Sequence, residues 1–307
     1  MDTVVNCTPV QYLGEFNGNR LWIKREDLLG FSFGGNKARK AELFFQDIDD
    51  GEYDCVVTYG TSSSNHCRIV ANECSKRKMD CYIISPEESS VETFNSAMME
   101  LLGAEVTKVP VEKVHDTIEN KLAELVREGR KPYFIAGGGH GNIGTEAYVQ
   151  CYTEIRQQEE ELGIHFDMIF LASGTGTTQA GLISGQILNG DEREIIGISV
   201  ARKNPRGRDI VKASVREYLG DKVTDAEIEE KTVFLDEYTE GYGKSSAAIK
   251  ETIREVFTGY GIPLDATYTG KAFAGMKDHL KGSSGKNVLF IHTGGTPLFF
   301  DELRRGL

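Results

Sequence analysis

The chain has 307 residues, enough for two lobes of ordinary size. Its 35 Lys plus Arg stand against 47 Asp plus Glu, a formal net charge of -12, so the summed field repels phosphate backbones and anionic membranes and argues against a nucleic-acid partner. Six cysteines (Cys7, Cys55, Cys67, Cys74, Cys81 and Cys151) without CxxC spacing, an N-terminus "MDTVVNCTPV" with no basic head, and no apolar run of spanning length point to a reducing, cytoplasmic setting with no membrane segment.

The first predicted helix follows "FSFGGN". In "KARKAELFFQDI", Ala41, Phe44, Phe45 and Ile48 recur at helical spacing, and Lys37 lies one turn before Ala41 on that apolar face. Arg39, Lys40, Glu42 and Asp47 fall on the other sides. Downstream, apolar runs alternate with amphipathic segments: "CVVTY" with "SNHCRIVANECSKRK", "DCYIIS" with "VETFNSAMMELLG", "EVTKVPV" with "HDTIENKLAELVREG", then "PYFIAGGG". This is the pattern of parallel strands joined by helical crossovers. These units form a small inserted α/β domain over residues 44–144, leaving 1–43 and 145–307 as the larger domain. The larger set continues through "TEAYVQCYTEIRQQEEELG", "DMIFLASGTGTTQAGLISG", "EIIGISVA" and "NVLFIHTGG". There is no internal repeat and no low-complexity tract.

Three Gly-rich turns follow strands. "SGTGTTQAG", Ser173 to Gly181, gathers backbone N–H groups and hydroxyls at a helix start, which makes either a phosphate cup or a tight turn without a ligand. Gln179 replaces the third glycine of a dinucleotide fingerprint, and no Gly-Lys-Ser/Thr follows, so neither common nucleotide motif is present. "HTGGTP", His292 to Pro297, ends another strand, where open parallel sheets bind ligands. "AGGGHGNIG" is ambiguous, with His140 read as a loop residue. In "GTSSSNHCR", Ser64 can cap the following helix, whose first N–H groups suit a carboxylate. His66 beside Cys67 hints at a metal, but adjacent helical residues diverge and no further Cys/His cluster has ligand spacing, so no metal is expected.

An inward lysine loses part of its preference for the ammonium form and becomes a nucleophilic amine that forms imines with aldehydes, although a lysine on an apolar face can also snorkel to water. Pyridoxal phosphate offers both an aldehyde and a phosphate. "KREDLLGFSFGGNKARKAE", "SNH", "SGTGTTQAG", "GYG", "YTGKAFAGM" and "HTGG" together resemble, in order and spacing over nearly the whole chain, the pyridoxal-phosphate enzymes of the tryptophan synthase β-like fold (fold type II), an α/β architecture of open twisted parallel sheets flanked by helices. The closest resemblance is to the branch of D-cysteine desulfhydrase and 1-aminocyclopropane-1-carboxylate deaminase. It implies that Lys37 holds the cofactor aldehyde, that Lys40 and the loop Gly174, Thr175, Gly176, Thr177 and Thr178 hold the phosphate, and that Asn65 meets the ring hydroxyl. It further implies that Ser64, Asn65 and His66 receive the substrate carboxylate, that Tyr242 and Tyr268 face a small amino-acid substrate, and that the enzyme is a homodimer.

Deaminases of this branch carry a carboxylate for the ring nitrogen where this chain has Thr269, and a leucine where it has Thr293. Both threonines, and His66 in "SNH", resemble the desulfhydrase side, which implies that Thr269 and Thr293 bind the cofactor and that a neutral hydroxyl holds its ring nitrogen unprotonated, suiting α,β-elimination with a good leaving group. The expected reaction takes D-cysteine and water to pyruvate, ammonia and hydrogen sulfide. Lys37 removes the α-proton, and Tyr268 or Tyr242 protonates the departing group. The alternatives are deamination of the cyclopropane amino acid, lysis of another β-substituted alanine such as cysteate, β-replacement, and an amino-acid-binding relative without turnover. Ser62 and Ser63 stand where relatives usually carry "IQ", so their hydroxyls either read a polar β-substituent or satisfy the turn.

Overall fold

The computed structural model describes residues 7–89 and 91–307. In chain order its strands and longer helices are β1 (Val10–Phe16), β2 (Asn19–Lys24), α1 (Asn36–Asp50), β3 (Cys55–Tyr59), α2 (Asn65–Arg77), β4 (Asp80–Pro86), α3 (Phe94–Leu101), β5 (Glu105–Val109), α4 (Val114–Arg127), β6 (Pro132–Ile135) and α5 (Asn142–Leu162). They continue as β7 (Met168–Ser173), α6 (Thr177–Leu188), β8 (Glu194–Ser199), α7 (Arg206–Leu219), α8 (Asp225–Lys231), β9 (Val233–Leu235), α9 (Ala247–Tyr260), α10 (Thr269–His279), β10 (Asn287–Ile291) and α11 (Thr296–Arg304). Contacts cluster into two units. One comprises the described residues up to Asn36 together with Thr145–Leu307, and the other is Lys37–Gly144, so the division falls inside the first turn of α1.

The larger unit holds a six-stranded sheet in the order β1-β2-β10-β7-β8-β9. Every residue of β7 and of β10 is buried, as expected for central strands covered on both faces, and all pairings except β1 with β2 are parallel. The antiparallel exception is a hairpin closed by Asn17 and Gly18, both at positive φ (49° and 72°), a two-residue turn whose twist matches that of its strands. Phe170, Ile196, Ile198, Phe273, Met276, Phe290 and Phe299 belong to the core that α9, α10 and the sheet enclose. Burying each such side chain contributes roughly 1.5–3 kcal/mol.

In the smaller unit four parallel strands run β5-β4-β3-β6. Cys55, Val57, Ile84, Ile118 and Leu125 form one of its apolar clusters, beneath α4. Ser64 caps α2 by accepting from Cys67 N at 3.1 Å, and Thr93 and Ser96 form a reciprocal capping box that starts α3. All six cysteines are free thiols, and five are buried. Among the described residues no helix is long and apolar enough to cross a membrane.

Candidate active site

In the smaller unit the site residues gather at the starts of α1 and α2. Lys37 is half-buried, and its Nζ donates to Gly138 O at 2.9 Å. Burial lowers its pKa from the ordinary 10.5 to about 8. Lys40, assigned by the helical wheel to a polar side, is in fact 1% exposed, a correction to that expectation. The cause is the glycine loop after β6: a Cβ on Gly139 would lie 3.3 Å from Lys40 Cδ, so only a chain without side chains there packs so closely. Burial, and then the charge of Lys37, drive the Lys40 ammonium well below its usual range. His66 is buried, with Nε2 2.9 Å from Thr58 Oγ1. Thr58 spends its own proton on Ile135 O at 2.7 Å, so His66 is the donor and is held as the Nε2–H tautomer. Burial, followed by the charges of Lys37 and Lys40, lowers its pKa to about 3, so the ring stays neutral.

The serine turn before α2 is occupied by its own hydrogen bonds. Ser62 Oγ donates to Ser89 O at 2.7 Å, Ser63 Oγ lies 3.0 Å from Thr61 Oγ1, and Asn95 Nδ2 bonds both Ser63 O and Asn65 Oδ1 at 2.9 Å. The Ser62 hydroxyl thus serves the turn itself. His140 sits in the loop between β6 and α5. Among the described residues no group of three or more His, Cys, Asp or Glu could hold a metal.

In the larger unit, the turn Gly174 to Thr178 joins β7 to α6. Gly176 takes φ 94°, and no side chain caps the helix, which leaves its first backbone N–H groups to whatever anion approaches. Ser173 Oγ, at the strand end, is buried without a hydrogen-bond partner among the described residues. Thr175 and Thr177 hydroxyls lie 3.4 Å apart, and Thr178 Oγ1 accepts from Asn36 Nδ2 at 2.9 Å. That bond ties the residue before Lys37 to the turn. Asn36 N also donates to Thr293 O at 3.0 Å, and a Cβ on Gly35 would come within 2.7 Å of the same carbonyl, which is why glycine precedes this helix. Gln179 turns away and donates to Val233 O at 2.6 Å.

At the start of α10, Asp265 is wholly buried and accepts four hydrogen bonds. Thr267 N and Tyr268 N bond Oδ2, both at 2.8 Å, while Thr269 N (3.0 Å) and Thr269 Oγ1 (2.8 Å) bond Oδ1. Burial raises this carboxyl's pKa and the four donors oppose the shift. With both oxygens so filled, no room is left for a proton, and the group is a carboxylate. Thr269 is 0% exposed, donates its one proton to Asp265, and accepts from Asp265 N at 2.9 Å. Thr293 keeps an edge at 8% exposure. The hydroxyls of Tyr242 and Tyr268 meet at 2.6 Å, with the rings edge to face. No sequence pattern marks Asp265, or the Gly138 carbonyl within "AGGGHGNIG", as a site group. Asp265 does carry a capping signal, an Asp two to four residues before a helix start.

The sequence model of pyridoxal-phosphate dependent enzymes matches residues 2–294. The chain belongs to this family. It is 35% identical over 300 residues to a Pyrococcus furiosus protein provisionally named 1-aminocyclopropane-1-carboxylate deaminase, covering 94% of this chain and 89% of that one. D-cysteine desulfhydrase of Serratia proteamaculans is 31% identical, with 98% and 94% covered. A crystal structure described as an ACC deaminase homologue superposes with a TM-score of 0.85 at 33% identity, covering 98% and 94% of the two chains. The protein is therefore a fold type II pyridoxal-phosphate-dependent lyase, and pyridoxal phosphate is its cofactor.

The residues present fit that group. The uncapped start of α6 and the unpartnered Ser173 hydroxyl suit a phosphate, and Lys37 is an amine with a lowered proton affinity. At pH 8 about half of Lys37 is neutral, against roughly one part in 300 for an ordinary lysine. Cofactor-free protein treated at pH 8 with limiting cyanate should be carbamylated at Lys37 ahead of exposed lysines, and added pyridoxal phosphate should block it. Peptide mapping that finds modification spread evenly over surface lysines would contradict this.

Proposed function

We propose that the enzyme carries out α,β-elimination on D-cysteine, releasing pyruvate, ammonia and hydrogen sulfide with the uptake of one water. The supporting observation is the closed pairing of Asp265 with Thr269. The Asp265 carboxylate at this helix start has its acceptor positions filled and is itself buried, and Thr269 spends its one proton on it, so of the two threonines Thr293 is the one we assign to the ring nitrogen. A neutral hydroxyl there gives a weaker electron sink, adequate for expelling thiolate from the carbon next to a carbanion and poorly suited to opening a cyclopropane.

When bound, pyridoxal phosphate supplies an aldehyde that takes up the substrate amine and a ring that draws electrons from the α-carbon. In this reading Lys37 tethers the cofactor and, once displaced by substrate, accepts the α-proton at Nζ; its lowered pKa makes the neutral amine available near neutral pH. By the family resemblance, the N–H groups of the Gly174–Thr178 turn and Lys40 Nζ would hold the phosphate, and Asn65 would meet the ring hydroxyl. Ser64, Asn65 and His66 receive the substrate carboxylate at the α2 N-terminus, where the helix dipole favours an anion. Neutral His66 adds no charge there and keeps its proton on Thr58.

Tyr242 and Tyr268 serve the leaving sulfur. One phenol gives its proton to the departing thiolate, and the other, 2.6 Å away, donates into the oxygen left behind. A panel of D- and L-cysteine, D- and L-cysteate and 1-aminocyclopropane-1-carboxylate, assayed for keto acid, sulfide and sulfite, tests the reading. Equal amounts of pyruvate and sulfide from D-cysteine are expected. Keto acid from the cyclopropane substrate alone, or sulfite from cysteate at a higher rate than sulfide from D-cysteine, would overturn it. We also propose a cytoplasmic homodimer, on the strength of the family resemblance, and sedimentation velocity tests the dimer.

A further inference from the structure

Lys271, in "YTGKAFAGM", has no part in the chemistry above, yet it is wholly buried in the first turn of α10. Its Nζ donates to two backbone carbonyls, Gly241 O at 2.7 Å and Val200 O at 3.0 Å. Burial disfavours its charge and the carboxylates of Asp265 and Glu240 partly offset that, yet the two hydrogen bonds go to neutral carbonyls, an unusual use of a buried lysine. What the two carbonyls carry is informative.

Gly241 immediately precedes Tyr242, in a turn with Gly241 at φ 119° and Gly243 at φ 70°. The turn also holds the bond from Gly241 N to Thr239 Oγ1 at 3.1 Å, a long bond from Lys244 N to Gly241 O at 3.4 Å, and the phenol contact from Tyr242 to Tyr268. Val200 follows β8, and its side chain backs the phosphate turn: a Cβ on Gly174 would lie 3.4 Å from Val200 Cγ2. Arg202 closes the same corner by donating to Gly174 O. One ammonium therefore spans from the corner behind the phosphate turn to the residue before the exposed tyrosine. The helix that carries it also presents Tyr268, three residues earlier.

We infer that Lys271 is a positioning residue that latches the Gly241–Gly243 turn to the end of β8, so that Tyr242 stays within hydrogen-bond reach of Tyr268 while the substrate reacts. It makes the Tyr242 hydroxyl a fixed element, although the side chain is exposed and the turn is rich in glycine. The inference rests on the proposed role of the tyrosine pair. The experiment separates the two.

Lys271→Met, Tyr242→Phe and the double variant are prepared as holoenzymes and compared by hydrogen exchange and by kinetics on D-cysteine. Lys271→Met should raise amide exchange across residues 237–246 about tenfold, with α10 unchanged, because the turn opens without global unfolding. It should lower kcat by roughly tenfold with a smaller change in KM, as expected when a reacting group is misplaced. In the Tyr242→Phe background the same change should cost less than about twofold, since the group it positions is already gone. Unchanged exchange, or an undiminished kcat loss in the Phe background, overturns the latch. If Tyr242→Phe alone turns over normally, the tyrosine reading fails while the exchange data still decide the latch. Should Lys271→Met not accumulate folded, Lys271→Gln, whose shorter neutral amide cannot span both carbonyls, takes its place: faster exchange with lower kcat supports the latch, and wild-type behaviour overturns it.

Discussion

Lys37→Ala is expected to abolish the visible absorbance of the lysine-linked cofactor and to lower turnover by at least ~10³-fold, since one substitution removes both the tether and the base. Borohydride reduction of the wild-type holoenzyme should fix a pyridoxyl group to the peptide containing Lys37, and the variant should yield no such peptide. Normal turnover by Lys37→Ala would end the assignment. The same residue has a measurable effect in the cofactor-free protein. Its folded pKa, about 8, lies below the ordinary 10.5, so between those values the unfolded chain binds more protons and stability rises with pH. Below pH 8 the cost of burying the ammonium is fully present; near pH 10.5 it is gone. Lys37→Met should thus stabilise the cofactor-free protein by about 1–3 kcal/mol at neutral pH, allowing for solvent screening of a half-buried amine, and the gain should vanish near pH 10.5. A gain independent of pH would mean that the lysine is not the group being titrated.

Much of this arrangement could be read in the chain because it depends on neighbours in sequence. Glycines before a lysine at a helix start, a Gly/Thr turn between an apolar strand and a helix, and a serine at a cap position are local patterns, and the alternation of apolar runs and amphipathic segments identified the parallel sheets. What could not be read depends on approach from elsewhere. Lys40 counts as polar on a helical wheel, and the glycine loop after β6, nearly 100 residues on, is what buries it. Thr269 stands where the resemblance places the deaminases' carboxylate, yet its one proton is spent on Asp265, a pairing no composition or period reports. Lys271 belongs to a recognisable motif, but its partners are carbonyls of two distant turns, and backbone acceptors leave no trace in side-chain identity. Local rules thus indicate where functional groups start out, and the long-range packing decides which of them remain available to a ligand.

Asp265→Ala should be the most destabilising single change near the site. It strips the acceptors from three backbone N–H groups and one hydroxyl, in a place where the carboxylate is fully enclosed and packed so closely that a Cβ on Gly295 would lie 2.5 Å from Asp265 Oδ1. Leaving such donors unpaired costs about 3–5 kcal/mol, more than is recovered by removing a buried charge. Asp265→Asn should fall between the variant and the wild type, because one edge of the amide still accepts while its NH₂ faces two donors. Urea unfolding of the holoenzymes should show the midpoint dropping with an unchanged slope. Because Tyr268 N is one of the four donors, kcat should fall in the same order as stability, even at temperatures where each variant is folded. If Asp265→Ala unfolds within about 0.5 kcal/mol of the wild type, the four bonds contribute nothing measurable, and the argument that Thr269 is committed away from the cofactor loses its physical basis.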